Sequence, residues 1–183
     1  MKSYLDSELI EQSISLMQLD SFFHQPRIQE LVEKAYRYCA PMEFFIQPAS
    51  MSGKYHPKNE LGVGGLIRHC KAGMVMAKNL LPLYHFTASE EDLIFAALAL
   101  HDIGKPDKLH PLRAKLILEP ISEEYYEELK LIIPLIESHM GQWDQFGKLP
   151  RPKTELEKFV HLCDYLASRK CITVDTDLEE DNQ

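Results

Sequence analysis

The sequence has no apolar stretch long enough to span a bilayer, and its first residues, Met1-Lys2-Ser3-Tyr4-Leu5-Asp6, carry no leader pattern. A membrane anchor and a secretory route are therefore not expected, and the chain reads as cytoplasmic with no membrane partner. The four cysteines, Cys39, Cys70, Cys163 and Cys171, form no CxxC pair. They fit reduced, mostly buried thiols better than a disulfide framework. Basic charge is also short: 20 Lys and Arg stand against 28 Asp and Glu, a net charge of −8. That counts against a broad polynucleotide-binding surface and leaves room for a small basic pocket. No internal repeat or break in composition marks a second domain. The 183 residues read as one domain, 1–183, long enough to bury a core. The oligomeric state is not fixed by the sequence, and a homo-oligomer is compatible with it.

What is present is helical periodicity nearly throughout. Ile10, Ile14, Leu16 and Met17 suit a first helix over 7–20. Pro26 opens a second, with Ile28, Leu31, Val32 and Ala35 on one face, ending before Pro41. The segment 44–65 reads as loop and leads into a helix over 66–81, stopped by Pro82. Ser89-Glu90-Glu91-Asp92 is a capping signature for a helix reaching Asp102. Ser122 suits the cap of a helix reaching Met140, bent at Pro134 and stopped by Gly141. Thr154-Glu155-Leu156-Glu157 is a capping box for a last helix to Lys170, and 175–183 is an acidic tail expected to fray. Two stretches, 44–47 and 171–174, have strand-like composition but no partner. The fold class is all-α.

The chemistry centres on His101-Asp102-Ile103-Gly104-Lys105, at the end of the buried run Ala96-Ala97-Leu98-Ala99-Leu100. A neutral imidazole and an ionised carboxylate together suit one divalent metal, and a nearby cation suits an anionic group. Such a pair is weak alone, and a lone helical His is more often structural than a ligand. Its weight comes from company. His69 lies in the helix after Gly64-Gly65, His139 ends the helix after the doublet, and Asp164 lies in the last helix among Cys163, Tyr165 and Leu166. A carboxylate there needs a partner or a metal, and four helices each giving a His or Asp can build a metal site in a bundle. His161, one turn before Asp164, suits either a supporting role or plain exposure. His24, His85 and His110 read as surface residues, His110 least so because it follows the glycine turn.

His69, His101-Asp102 and Asp164, in that order on successive helices, resemble the H…HD…D signature of the HD superfamily of metal-dependent phosphohydrolases. Gly64-Gly65-Leu66-Ile67-Arg68-His69 is similar to the GGL-x-x-H lead-in of the superfamily, bacterial HD-domain 3′-to-5′ exoribonucleases included. Ser138-His139 before Gly141 resembles the extra His that many members place after the doublet. The resemblance covers roughly 55–170. It implies a helical HD bundle with a metal site between helices, and His69, His101, Asp102 and Asp164 as metal ligands. Manganese, iron, nickel, cobalt or zinc would suit that donor set. His139 would extend the site to a second ion or bind the substrate phosphate. Members with two ions offer more histidines after the doublet than the sequence presents, so one tightly bound ion is expected.

The implied reaction is hydrolysis at phosphorus, with Asp102 at the centre and Lys105 neutralising charge on the phosphoryl group. His56, in Ser52-Gly53-Lys54-Tyr55-His56-Pro57, is a candidate proton donor to the leaving group. Lys54 and Arg68 are candidate substrate contacts, and Arg113 and Lys115 would add positive potential. The expected partner is a small phosphorylated substrate, a nucleotide or short phosphodiester. The alternatives are a nuclease acting on single strands and a non-catalytic binding module. Trp143, Phe146, Pro150 and Pro152 suit either a pocket wall or the closing of the core.

Overall fold

The computed structural model describes residues 4–172 and 174–176. Among them there are eight α-helices and no strand: α1 (Tyr4–Met17), α2 (Pro26–Lys34), α3 (Met42–Ile46), α4 (Gly65–Leu80), α5 (Ala88–Leu100), α6 (His110–Ile117), α7 (Tyr126–Ser138) and α8 (Glu155–Ala167). Most of the tail, 177–183, and Thr173 of the strand-like stretch 171–174 lie outside the described residues. No described helix is long and apolar enough to cross a membrane. The four cysteines are free thiols, with Cys70 and Cys163 buried, Cys39 half-buried and Cys171 exposed.

The organising element is α5. Every residue from Ile94 to Leu100 is buried, so the helix is apolar on all sides and must be wrapped by others. It packs against α2, α4, α7 and α8. The cluster around it runs from Ile10 through Phe44 and Phe45 to Phe159 and Cys163. Its one buried acid, Asp92, accepts hydrogen bonds from the amides of His24 (2.8 Å) and Gln25 (2.9 Å), pinning the chain where it enters α2. Burying that carboxylate is thus offset by two charge-assisted bonds.

Several helix ends differ from the sequence reading, each for a local reason. The segment 44–47 is not a strand, because Pro41 leads into the short helix α3. Phe44 and Phe45 both pack on Tyr36, with ring centroids at 5.5 and 6.0 Å, which the alternating faces of a half-buried strand would forbid. The cap of α5 is Thr87, not Ser89. Thr87 Oγ1 accepts from Glu90 N and Glu90 Oε2 accepts from Thr87 N at 2.8 Å, a capping box. Ser122 caps no helix, since its Oγ donates to Glu119 O at 2.7 Å in a separate turn. The helix starts only at Tyr126, after the buried Tyr125, whose ring lies under Arg27 and Lys34. The helix α6, with Pro111 in its first turn, was not foreseen.

The last helix begins as read, on a capping box in which Thr154 accepts from Glu157 N. It ends at Ala167 rather than Lys170, because the Lys170 amide donates to Tyr55 O at 2.9 Å. This ties the end of α8 to the loop before α4. Removing the cap with Thr154→Ala is expected to cost about 1 kcal/mol. Urea unfolding should show a lower midpoint at unchanged slope; an unchanged midpoint would contradict the capping account.

Candidate metal centre

The C-terminal end of α5 sets the site. Its last carbonyls have no partners within the helix and must find them elsewhere. Ala99 O accepts the Tyr36 hydroxyl at 2.8 Å, and Leu98 O is 2.8 Å from His101 Nδ1. A carbonyl only accepts, so His101 Nδ1 carries the proton and Nε2 faces inward. The end of α7 repeats the device, with His139 Nδ1 2.7 Å from Ile136 O. His110 does the same at the start of α6, its Nδ1 2.9 Å from Asp107 O. Three imidazoles thus hold Nδ1–H to a carbonyl and turn Nε2 toward Asp102.

His69, one turn into α4, completes the inner set. Its Nε2 lies 2.9 Å from Asp164 Oδ1 of α8, and its Nδ1 lies 3.2 Å from Glu60 Oε2. Glu60 is buried and also meets His56 Nδ1 at 2.7 Å. The loop can bring Glu60 here because Gly65 has no side chain. A Cβ at that position would lie 2.0 Å from Glu60 O and 2.9 Å from Ala49 N.

Asp102 stands between two groups of imidazoles. Oδ1 faces His110 Nε2 at 2.9 Å and His139 Nε2 at 3.8 Å, while Oδ2 faces His101 Nε2 at 3.5 Å, His69 Nε2 at 3.9 Å and Lys105 Nζ at 2.7 Å. His110 is therefore not the surface residue expected from sequence. It is buried, and its Nε2 is 3.4 Å from that of His139. Gly104 makes this possible: a Cβ there would lie 2.7 Å from His110 O. The glycine of the HDIGK turn is the surface on which the His110 backbone rests.

Charge follows geometry. Burial alone would raise Asp102, but Lys105, His101 and His110 outweigh it and hold the carboxyl well below its usual range. Burial of Asp164 is likewise outweighed by His101 and His69. Burial works against protonated His69 and His101 too, yet the facing carboxylates raise both. His139 goes the other way. Burial, then the positive His101 ring, push it down to about 3, leaving it neutral. Three anionic carboxylates, Asp102, Asp164 and Glu60, among inward-facing ring nitrogens make a site suited to a cation.

A divalent transition metal fits these residues. His101 Nε2 is buried without a hydrogen-bond partner, a costly state that a bound cation taking the place of the ring's second proton would relieve. One ligand atom each from His69, His101 and Asp164 lie within 4.8 Å of one another, and so do those of His101, Asp102 and His139. That spread suits bonds of about 2.0–2.2 Å to a common ion. The Nδ1 atoms of His101, His110 and His139 are held by carbonyls, the arrangement that orients ligating histidines, and that of His69 faces the Glu60 carboxylate at 3.2 Å.

The centre forms the floor of a cleft of about 500 Å³ walled by Tyr55, His56, Lys105, Trp143, Tyr165 and Arg169. His56, Lys105 and His139, expected from sequence, border this cleft. Arg68 does not: its guanidinium donates to Asn59 O at 2.6 Å and Val63 O at 2.8 Å, clamping the loop before α4. Lys54 is exposed and lies over the Tyr55 ring at 4.9 Å. Arg113 pairs with Asp107 at 3.0 Å outside the cleft. His161 supports the centre from behind, its Nδ1 2.6 Å from His139 O. Trp143 is a cleft wall, and Phe146 is exposed. Sequence reasoning missed Glu60 and Arg169 and misjudged His110. Pro111, at the first turn of a helix, was the available signal for His110. Glu60 lies in an aperiodic loop and gave none.

A family model for the HD domain matches residues 66–169. Comparison with curated proteins and with solved structures returns no match. Domains of this family bind divalent metals.

The Glu60–His69 contact yields a direct test. Glu60→Gln keeps size and removes the charge behind the ring, so metal affinity is expected to fall about 10–100-fold. Competition with a chromogenic chelator measures it; an affinity within twofold of wild type would show that Glu60 does not support the centre.

Proposed function

The chain belongs to the HD domain family, a superfamily of metal-dependent phosphohydrolases, and on that premise we propose that it hydrolyses a phosphoester of a nucleotide or short phosphodiester. One observation carries the reading: inward-facing imidazoles and carboxylates from successive helices form the floor of a cleft with aromatic walls.

His69, His101, Asp102 and Asp164 would hold a first ion, and His110 and His139 with Asp102 a second. The sequence favoured a single ion for want of histidines after the doublet; His110 supplies the missing one, and the separate faces of the two Asp102 oxygens suit a shared carboxylate. Manganese, iron, nickel, cobalt or zinc match the nitrogen-rich set better than magnesium does. When bound, the metal supplies Lewis acidity, which acidifies water and polarises a phosphoryl oxygen.

The remaining work falls to the chain. Lys105, anchored by Asp102 Oδ2 and by Ala49 O at 3.1 Å, offers positive charge to the phosphoryl group. His56, held through Nδ1 by Glu60, is positioned as proton donor to the leaving oxygen. Trp143, stacked on Tyr165 at 5.5 Å, gives a flat face for a base. The cleft volume suits a small molecule, and the net charge of −8 disfavours a long strand.

Metal analysis by mass spectrometry tests this after loading with manganese. Wild type is expected to hold about two equivalents, His110→Ala about one, and His69→Ala and Asp164→Ala less than wild type. Asp102→Ala should lose both metal and hydrolysis while staying helical by circular dichroism. A wild-type protein that stays metal-free after incubation with manganese, nickel, cobalt and iron would overturn the reading, as would full activity in Asp102→Ala.

A further inference from the structure

Beyond the residues that face the metal centre, the cleft holds a cation with no assigned task. Arg169 follows the end of α8, where the chain turns to meet Tyr55. Its guanidinium carbon lies 4.9 Å from the centroid of the Tyr55 ring and 4.4 Å from that of Tyr165. It is thus held by two aromatic faces, a contact that favours the planar guanidinium over an ammonium. Nε and Nη2 donate to Ser168 Oγ at 3.2 and 2.7 Å, and Ser168 Oγ donates to Tyr165 O at 2.8 Å. The group is fixed in place before any ligand arrives.

It is also free of acid. Arg27, Arg37 and Arg113 each pair with a carboxylate and Arg68 is taken up by two carbonyls, whereas Arg169, the arginine that borders the cleft, pairs with no carboxylate among the described residues. In a chain with 28 acidic residues, a half-buried arginine that borders a cleft and meets none is a built vacancy for an anion. Lys105 is already committed, held by Asp102 at 2.7 Å and assigned to the phosphoryl group that is cleaved. Arg169 and Asp164 border the same cleft, Asp164 within α8 and Arg169 just beyond its C-terminal end.

We propose that Arg169, braced by Tyr55, Tyr165 and Ser168, is a specificity-determining residue that binds a second phosphate of the substrate beside the one that is cleaved. The inference rests on the phosphohydrolase reading above and narrows it: the preferred substrates carry at least two phosphate groups close together. A planar guanidinium that borders the cleft can match phosphate oxygens in pairs.

Calorimetric titration of the manganese-loaded protein tests it, with methylphosphonate and methylenediphosphonate as probes that water cannot split. Wild type is expected to bind the diphosphonate at least tenfold more tightly than the monophosphonate, and Arg169→Ala to reduce that ratio to about two or less. Arg169→Gln, which keeps a planar group between the two rings without the charge, should lose the preference equally. A ratio near one in wild type, or a ratio preserved in either variant, would overturn the proposal and leave Arg169 as a brace between α8 and the Tyr55 loop. Hydrolysis assays on the same preparations separate the two readings. An Arg169-dependent preference without hydrolysis of any phosphoester counts against the proposed function alone. Hydrolysis without that preference counts against the subsite alone.

Discussion

The bond between an imidazole Nδ1–H and a carbonyl three residues back is the interaction on which the site depends. His101, His110 and His139 all make it. In His101 and His139 the carbonyl belongs to the last turn of a helix. Backbone accounting and ligand orientation are therefore solved by the same contact. The helix ends also bring the negative poles of α5 and α7 to the site, which adds to the carboxylate charge there. A helix running one residue further would carry both ring and carbonyl away together.

The rest of the bundle serves to fix where those ends meet. Because the Ile94–Leu100 half of α5 is buried on every side, it has no solvent face on which to rotate, and its terminus is fixed by the neighbours that wrap it. Tyr36, just beyond α2, adds a hydroxyl to Ala99 O, and Asp92 ties the opposite end of α5 to the start of α2. Both ends of the central rod are thus held by hydrogen bonds to the same N-terminal segment, on either side of the apolar contacts of Phe22 and Phe95.

Much of this was legible in the sequence because it is periodic or local. The all-α class, the helix carrying His69, and the Thr154 capping box each depend on spacings of a few residues. The ordered set His69, His101, Asp102, Asp164 was legible because the residue types are rare in apolar surroundings. Glu60, His110 and Arg169 were not, and for a shared reason. Each sits in a turn or at a helix end, and what makes it matter is a contact across the fold: Glu60 with His69, His110 with Asp102, Arg169 with Tyr55. Burial of a loop carboxylate or the bracing of an arginine leaves no periodic trace. The misplaced caps at Ser89 and Ser122 have a different origin, a competing local pattern: the Thr87–Glu90 box starts α5, and Ser122 turns back to Glu119 O.

The chain has a single tryptophan, and the fold has spent it on the cleft wall, stacked on Tyr165 and 5.5 Å from the His161 ring. All indole emission of the folded protein therefore originates at one place, beside the imidazole that backs His139. The molecule carries its own optical reporter, confined to the surface a ligand must touch and silent about the rest of the bundle.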